Sequence, residues 1–579
     1  MAIRKPSSRT RVARPSAEVL ETRNLLSGVV SGTDIDGDKW TLQLVGPGSL
    51  TVTDVSGNPI TSANASTPDS IGKITISGPD TQTSHLIGTV VKAPGGDGLV
   101  YFQNLQEVGG GELPSVDPAK PIGVLKPKQA ENGIATINMP SFWLGNTSGT
   151  VPTPSSSLTG SSVGVAGKIS IPDGIGTLQF GGVNTDYTPP GGTPLNTDNQ
   201  NDQFQVNLGL PFSGGTSIII NKSITDAQAG QTTTSGTTGT PTQDTVYFSV
   251  AGRLNLFQAN EVDGNTTFPP DQFTKSANAT STTAGGTFVT SGSGTAPFFL
   301  TGGTDTGGSV TGQIGFFRVG GNATNLTVAV FDAVNAADAR IQNFFVGGET
   351  NNVLMIAPNG SRDVYFGLGA DNVQINSEVI SSLKANRGLI GSTITTTRGI
   401  NSFFSGGDVV NSNVQSGYDL QNFLTFISNV ESSGTPVPTV ENRFLNTNTQ
   451  RYVPSTVNDG HINALIAGDV TNSVFSASVE PNPSNSTTNN PGTFGGSTDV
   501  SYSGGSIMAK VEGKINNSSN SLVDSSSSNQ AFFAKRVHLS TGPVIPPNVP
   551  MEPYAKTQTI PRERAVLGVN YPSGPMKKN

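Results

Sequence analysis

Four acidic residues in the middle of the chain have types and spacing suited to chemistry on a carbohydrate: Glu349, Asp363, Asp371 and Asp408. Cleavage of a glycosidic bond needs two carboxyl groups about 5–10 Å apart, one to transfer a proton and one to act as nucleophile or base. Glu349 and Asp408 occupy equivalent positions of a repeated segment, so both are expected at one edge of a stack of coils. If a coil takes about 20 residues, the two lie about three coils, or on the order of 15 Å, apart. That separation favours solvated corner residues over a catalytic pair, and no catalytic residue is assigned from the sequence.

A second set of acidic residues, Asp34, Asp36 and Asp38, alternates along one short segment near the N-terminus. Carboxylate oxygens are the ligands that Ca²⁺ prefers, so these residues predict a calcium site, and calcium is the one cofactor that the sequence suggests. The segment departs from an EF-hand loop, because Gly37 comes at the fourth place and Val45 stands where the closing Glu belongs. The alternative interpretation is a polar turn that binds no metal.

The sequence contains few of the residues that nucleophilic catalysis requires. The chain has no cysteine, and its three histidines, His85, His461 and His538, are isolated from one another in the sequence. No Gly-x-Ser-x-Gly segment adjoins a plausible strand-to-helix turn. The glycine run at Gly109–Gly111 lacks the Lys-Ser/Thr of a phosphate-binding loop. The absence of cysteine also excludes disulfides and thiolate metal sites.

The central acidic residues lie in or beside a segment that the chain repeats. Ile341–Val353 returns without a gap as Ile400–Ser412, and shorter versions occur at Ile314–Asn322, Gly468–Ser473 and Gly513–Ser518. Each copy is a short apolar strand, a glycine corner, a polar residue and a second strand opening on Asn. Residues that tolerate positive φ allow sharp turns at these places, and asparagines of successive copies can stack. A unit this short must stack on copies of itself to bury its apolar side, and the spacings fit one to three coils of about 20 residues.

The repeats predict an all-β fold, a right-handed parallel β-helix (β-solenoid) with irregular lateral loops. Alternating apolar residues at Trp40–Leu44 and Leu50–Thr53, joined by a Gly-Pro-Gly turn, predict a β-hairpin. The i, i+3, i+4 spacing that follows Tyr418 predicts a helix in a side loop. The predicted organisation is a basic sorting segment (1–28), a β-hairpin cap (29–70), a β-helix (71–541) with insertions at 418–459 and 480–504, and a proline-rich basic tail (542–579).

Composition and charge limit the class of protein. Charged residues make up only 13% of the chain and hydrophobic residues 34%, in patches typical of strands between polar turns. Thr-, Gly- and Ser-rich stretches near 148–165, 186–202, 226–244 and 275–308 are predicted to be loops that leave the stack. The two ends contribute +4 and +5 to the overall charge of −8, so the body carries about −17, which disfavours nucleic acid as a partner. No apolar run approaches the ~20 residues of a membrane-spanning helix.

The N-terminal segment carries a resemblance to a known group of proteins. Basic residues precede Leu20-Glu21-Thr22-Arg23-Asn24-Leu25-Leu26, and no long apolar region follows them. This segment resembles the Leu-Glu-Pro-Arg-x-Leu-Leu sorting motif of exported planctomycete proteins, with Leu20, Glu21, Arg23, Leu25 and Leu26 matching and Thr22 in place of proline. The Asp-rich turn that follows is also similar to the opening of those proteins. The resemblance implies a β-helical protein located outside the cell or at its surface.

Three functions follow as expectations. The first is a non-enzymatic structural or adhesive surface protein whose polar loops meet surface glycans or envelope and matrix proteins. The second is a carbohydrate-active enzyme, a polysaccharide lyase or hydrolase, which requires Asp, Glu and Arg from adjacent coils to converge within ~10 Å. The third is a calcium-dependent surface binding protein.

Overall fold

Parallel strands wind around one apolar column in the computed structural model. The structure describes residues 26–61, 64, 70–79, 83–108, 133–145, 164–184, 202–209, 215–225, 245–250, 253–263, 286–291, 313–331, 340–357, 359–418, 460–480, 494–497, 499–501, 504–517 and 530–544. These residues form strands and turns and no helix. The predicted all-β, parallel β-helical fold is confirmed. No described helix is available to cross a membrane.

The N-terminal half contains strands of 3 to 12 residues. They are β1 (Leu26–Thr33), β2 (Lys39–Val45), β3 (Ser49–Asp54), β4 (Ile71–Ser77), β5 (His85–Val91), β6 (Val100–Val108), β7 (Ile134–Gly145), β8 (Gly164–Ile171), β9 (Ile175–Asn184), β10 (Asp202–Leu208), β11 (Thr216–Ile220), β12 (Ser223–Thr225), β13 (Thr245–Val250), β14 (Leu254–Ala259), β15 (Glu261–Asp263) and β16 (Gly286–Ser291).

The C-terminal half continues with shorter connections between strands. Its strands are β17 (Gln313–Val319), β18 (Ala323–Phe331), β19 (Arg340–Val346), β20 (Glu349–Ala357), β21 (Ser361–Phe366), β22 (Gly369–Asp371), β23 (Gln374–Ala385), β24 (Leu389–Ile390), β25 (Thr393–Ser405), β26 (Val409–Val410), β27 (Asn413–Ser416), β28 (His461–Ile466), β29 (Val470–Thr471), β30 (Val474–Ala477), β31 (Val479–Glu480), β32 (Val500–Ser501), β33 (Ser506–Val511), β34 (Ile515–Asn516), β35 (Phe532–Ala534) and β36 (Arg536–Thr541).

Three parallel ladders form the faces of the β-helix. Face A runs from β5 through β7, β9, β11, β14, β17, β19, β21, β23, β25, β28 and β33 to β36. Face B consists of short strands and includes β12, β15, β22, β24, β26, β29 and β34. Face C includes β4, β6, β8, β10, β13, β27, β30 and β35, with β16 inserted antiparallel between β13 and β18.

The coil length explains the sequence repeat. On face A, Ile341 pairs with Ser361, Ser361 with Ile380, and Ile380 with Ile400, so these coils take 20, 19 and 20 residues. The repeat that separates Ile341 from Ile400 is therefore three coils. Ile400 pairs next with Ile462 across the long insertion, and the register of this strand pair shifts once, between Ile400 and Phe403.

The interior of the helix holds a column of stacked aromatic rings. Phe257, Phe317 and Phe344 lie in register on face A and are fully buried. The ring centroids of Phe257 and Phe317 are 4.7 Å apart, and those of Phe317 and Phe344 are 5.2 Å apart, with nearly parallel planes in both pairs. Burial of such a side chain contributes about 1.5–3 kcal/mol, so the core strengthens with each coil added.

The N-terminal end is closed by antiparallel strands, but the predicted hairpin is wrong. β2 pairs with β1 and with β5, and β3 pairs with β4, so β2 and β3 are not each other's partners. The hairpin lies one strand earlier, where Asp34–Asp38 joins β1 to β2. The Gly46–Gly48 segment, with positive φ at both glycines, is instead a corner between strands that extend faces A and C.

The corner between faces A and B requires glycine for a reason that the sequence pattern did not indicate. Positive φ was expected there and is found at Gly388 (φ 124°), yet Gly347 and Gly406 are not among the residues with positive φ. Their coils instead stack so closely that a Cβ at Gly406 would lie 2.1 Å from the carbonyl oxygen of Asn386. The left-handed conformation falls at the next corner, on Asn352, Asn372 and the residues that correspond to them, including Asn411 (φ 49°) and Asn472 (φ 49°). Asparagine is among the few residues that adopt this conformation readily.

A buried ladder of hydroxyl groups joins coils at that second corner. The backbone N–H of Ser392 donates to Oγ of Ser412 (3.1 Å), and the N–H of Ser412 donates to Oγ of Ser473 (3.0 Å). The N–H of Ser473 donates to Oδ1 of Asn517 (2.8 Å). Each hydroxyl also donates to a carbonyl, as Ser412 does to Val410 (2.8 Å), so no polar group in the ladder is left without a partner.

Candidate functional site

Asp363 lies on the outer side of face A and is held by an arginine. Nε of Arg362 donates to Oδ2 of Asp363 (2.8 Å), while Nη2 donates to Oδ1 of Asn343 on the preceding coil (2.7 Å). The amide of Asn343 donates in turn to the carbonyl of Gly315 (3.0 Å). The Asp363 side chain is 27% exposed. This chain of contacts joins three coils, and its acid is already paired with a cation.

Asp408 lies at the corner between faces A and B, where carboxylates bind backbone amides of the next coil. Oδ1 of Asp408 accepts the N–H of Asp469 (2.8 Å), and Oδ1 of Asp469 accepts the N–H of Lys514 (2.8 Å). Glu349 belongs to the same corner, and its N–H donates to Oδ1 of Asn322 (2.9 Å). The sequence spacing predicted about three coils between these equivalents. That holds for Glu349 and Asp408, but Asp408 and Asp469 are on adjacent coils because an insertion lengthens the chain between them.

Glu349 and Asp371 are the two predicted acids that the fold brings together. They lie on adjacent coils of face B, where Glu349 pairs with Gly369 and Asp371 with Asn351. Burial raises the pKa of Asp371 above its usual range, and the negative charge of Glu349 raises it further. The other two acids lie elsewhere: Asp363 on face A and Asp408 at a corner three coils away from Glu349. The four predicted glycan-facing residues therefore occupy three places on the stack.

The Asp34–Asp38 turn places one carboxylate oxygen from each of its three aspartates within 4.8 Å of the others. Both oxygens of Asp38 accept backbone N–H groups, from Ala93 and Gly98 of the segment after β5. Oδ2 of Asp36 accepts the N–H of Asp97 in the same segment (2.9 Å). The turn thus fixes the segment from Ala93 to Gly98 to the N-terminal end of the stack. A bound calcium ion at Asp34, Asp36 and Asp38 stays a prediction.

The charges in this turn are divided unequally. Burial, the hydrogen bond to Asp36 and the charge of Asp36 raise the pKa of Asp34 to about 8. Burial acts upward on Asp36 as well, but hydrogen bonds from Asp34 and from backbone amides bring its pKa below the usual value. Asp34 therefore carries at neutral pH a proton that it shares with Asp36. A divalent cation would compete with that proton.

A row of cations and aromatic rings on the outer side of face A was missed by the sequence reasoning. The rings of Phe345 and Tyr365 stack with centroids 4.8 Å apart. Arg318 lies 5.7 Å from the Phe345 centroid, and Lys384 lies between Tyr365 (5.8 Å) and Phe404 (5.6 Å). The rings thus contact one another and the cations through their faces. The signal was the second Phe of the pairs Phe344-Phe345 and Phe403-Phe404, since the first of each pair points inward.

A second missed feature is a buried polar row on the outer side of face C. Asn376, Thr395 and Gln415 lie in register on adjacent coils and are at most 1% exposed. Within the part of the chain that the structure describes, the amide groups of Asn376 and Gln415 and the hydroxyl of Thr395 have no hydrogen-bond partner. The row continues to Ser476, whose Oγ is 3.0 Å from the hydroxyl of Tyr418. Strand alternation places these residues outward, but only the structure indicates that this side is covered.

Segments that leave the stack return to cover face C where they are described. The hydroxyl of Tyr418, at the start of the longest insertion, donates to the carbonyl of Val479 (2.8 Å). Phe494, in the next insertion, stacks on Phe533 with centroids 5.4 Å apart. The helix predicted after Tyr418 lies outside the described residues, as do Leu20, Glu21, Arg23 and Leu25 of the sorting motif, whereas Leu26 begins β1.

Comparison with known proteins does not assign a function to these residues. No protein family, no curated protein and no solved structure matches the chain.

Proposed function

We propose that this chain is a non-enzymatic scaffold, exported to the cell surface or beyond, that displays polar loops to surface glycans or to envelope and matrix proteins. The observation that carries the proposal is where the chain leaves the stack. From β11 to β34, every passage from face A to face B takes one to three residues. All longer connections of the coils after β6 start or end at face C. The stack thus directs its variable segments to one side.

The use of the acidic side chains supports a scaffold over an enzyme. Asp408 and Asp469 accept backbone amides of the next coil, and Asp363 is paired with Arg362. These contacts hold coils in register, which is a structural use of the groups that a glycosidase would keep free. The carbohydrate-active alternative is left with Glu349 and Asp371, which lie on adjacent coils of face B.

Stiffness is the property that display requires, and four kinds of contact supply it. Backbone ladders on three faces, the hydroxyl ladder, the corner carboxylates and the cation–aromatic row all run along the helix axis. A protein of this kind moves little within the stack, so loops at one side keep fixed spacing of about 4.8 Å per coil.

The test is a polysaccharide screen of the purified full chain that records both retention and release of reducing ends. We expect retention of a surface polysaccharide or envelope fraction without release of ends. Release that is lost in the Glu349→Gln and Asp371→Asn variants would replace the scaffold with an enzyme. Absence of any retention by polysaccharide, envelope or matrix fractions would remove the adhesive function.

Export is tested separately, because it follows from the resemblance of residues 20–26. We expect the chain in the surface or extracellular fraction of its own cells, and accessible to added protease. An Arg23→Ala and Leu25→Ala double variant should remain inside. Equal localisation of both forms would contradict the sorting role of this motif.

A further inference from the structure

The two ends of the β-helix are built differently. At the N-terminal end, antiparallel β1 and β2 close the stack, and Trp40 and Leu42 are buried beneath them. At the C-terminal end, β36 is the last strand of face A and, within the described residues, pairs with β33 alone. Every residue of β36 is exposed. Within the described residues, the C-terminal end therefore presents open strand edges on β36 and also on β34 and β35, the last strands of faces B and C.

This open end is apolar as well as unpaired. Val537 and Leu539 are in register with Ile507 and Ala509, which point into the core and are 2% exposed. Val537 is 43% exposed and Leu539 42%, because no further coil covers them. An exposed, flat strand edge with apolar neighbours recruits another strand, and repeat proteins cover such ends with a capping element.

The chain that follows this end contains one segment suited to cover it. Residues 545–579 continue directly from Val544. Within them, Arg562–Tyr571 is a proline-free run between Pro561 and Pro572. It has apolar residues at every second position, Ala565, Leu567, Val569 and Tyr571, and Val566 is the one further aliphatic residue at the intervening positions. Period-two alternation bounded by proline and glycine is the pattern of a half-buried strand.

We propose that Arg562–Tyr571 adds as a strand to the free edge of β36 and covers Val537 and Leu539 with its alternate apolar side chains. The tether is long enough, since residues 545–561 reach up to about 55 Å and the length of β36 is about 20 Å. A tethered segment meets the edge at an effective concentration on the order of millimolar. A second copy at micromolar concentration competes poorly with it, so the cap forms within one chain.

Because the chain has no cysteine, engineered cysteine pairs test this contact cleanly. Leu539→Cys is combined, one at a time, with cysteine at each inward position of the segment and at each outward position as matched controls. The inward set is Ala565, Leu567 and Val569, and the outward set is Val566, Gly568 and Asn570. After mild oxidation of the full chain, we expect an intramolecular disulfide several-fold more abundant in the best inward pair than in any outward pair, read by mass spectrometry.

Each other outcome overturns the proposal. Disulfide-linked dimers in place of the intramolecular product would assign the edge to a second copy of the chain. Equal yields at inward and outward positions, or no disulfide at all, would mean that the segment does not lie in register on β36. Hydrogen exchange gives an independent reading: β36 amides should be protected in the full chain and exchange faster by more than an order of magnitude in Leu567→Asp. Unprotected β36 amides in the unaltered chain would also overturn it.

Discussion

Glu107 is an acid at a core position of the β-helix. It lies in register with Ile76, whose side chain belongs to the core, and it is 6% exposed. Its Oε2 accepts the backbone N–H of Asp173 (3.3 Å). Burial, followed by the charge of Asp173, raises the pKa of Glu107 to about 8. The residue is therefore protonated in the folded protein at neutral pH.

The raised pKa of Glu107 predicts a stability that falls with pH. Since its folded pKa of about 8 lies above the ordinary 4.5, the favourable contribution is complete below pH ~4.5 and is lost as pH rises through 8. We expect Glu107→Gln to remove this dependence and to be more stable than the unaltered protein above pH 8. Between these two pKa values, the unaltered protein should lose on the order of 1 kcal/mol of unfolding free energy per pH unit, and Glu107→Gln should prevent this loss. Urea unfolding at pH 5, 7 and 9 measures it, and equal slopes in both proteins would contradict it.

The raised pKa of Asp34, in the turn between β1 and β2, predicts a second decrease of stability with rising pH. Its pKa of about 8, raised by burial and by Asp36, means that stability declines between pH ~4 and 8. Asp34→Asn should flatten that decline when chelator is present, and Asp36→Asn should weaken it, because it removes the charge that helps to raise the pKa of Asp34. If calcium alone, without change of pH, restored stability to the unaltered protein at pH 9 and not to Asp34→Asn, the cation would be the resident ligand of this turn.

At the scale of the element, the two corners of a coil make opposite demands on the residue that occupies them. Gly406 has no room for a Cβ, which would lie 2.1 Å from a carbonyl oxygen, but its φ is not in the left-handed region. Asn411 has the room and a φ of 49°. One corner is limited by contact between coils, and the other by the conformation of a single residue.

Substitutions at the two corners are therefore expected to have different effects on stability. Asn411→Gly should leave stability nearly unchanged, while Asn411→Val should cost about 1–2 kcal/mol because β-branched residues avoid positive φ. Gly406→Ala should cost more than either, since the clash is with backbone. Thermal unfolding of the three variants checks the order. If Gly406→Ala did not lower stability, the backbone at this corner would have more room than the 2.1 Å between the added Cβ and the Asn386 carbonyl oxygen indicates.

The hydroxyl ladder predicts the effect of removing one rung. Ser412→Ala deletes the acceptor of the Ser392 N–H and leaves that buried donor unpaired. A loss of about 1–3 kcal/mol in the free energy of unfolding is expected, as for other buried donors without partners. The control is Ser402→Ala on the outer side of face A, where the loss should be within about 0.5 kcal/mol. If Ser412→Ala and Ser402→Ala lowered the free energy of unfolding equally, the hydroxyl ladder would make no specific contribution to stability.

At the scale of the whole molecule, the stack is continuous across its longest insertion. β25 and β28 are hydrogen-bonded neighbours, and the backbone of Gly417 lies against that of Gly460. Deletion of residues 419–459 with Tyr418 joined to Gly460 should therefore fold, with a melting temperature within a few degrees of the full chain. Retention of glycan or envelope fractions should fall if this loop is displayed for binding. Deletion of the face A–B corner Gly406–Gly407, which is part of the stack, should instead prevent folding.

The fold class and the period of the coil could be predicted from the amino-acid sequence. The repeated Ile341 and Phe344 positions point inward, and the match between Ile341–Val353 and Ile400–Ser412 corresponds to three coils, because a regular coil places identical residues in identical surroundings. The spacing between equivalent residues of successive coils is a property of the sequence, so the repeat can be found without the structure.

The contacts between residues of different coils could not be predicted in the same way. Asp408 and Asp469 are neighbours because a long segment leaves the stack between them, and the length of such a segment does not tell how many coils it contains. The same holds for the partner of β2, for the core position of Glu107, and for the cation that lies between Tyr365 and Phe404. Contacts along the axis join residues about 20 or more positions apart, and their energies depend on stacking rather than on the residues adjacent in sequence.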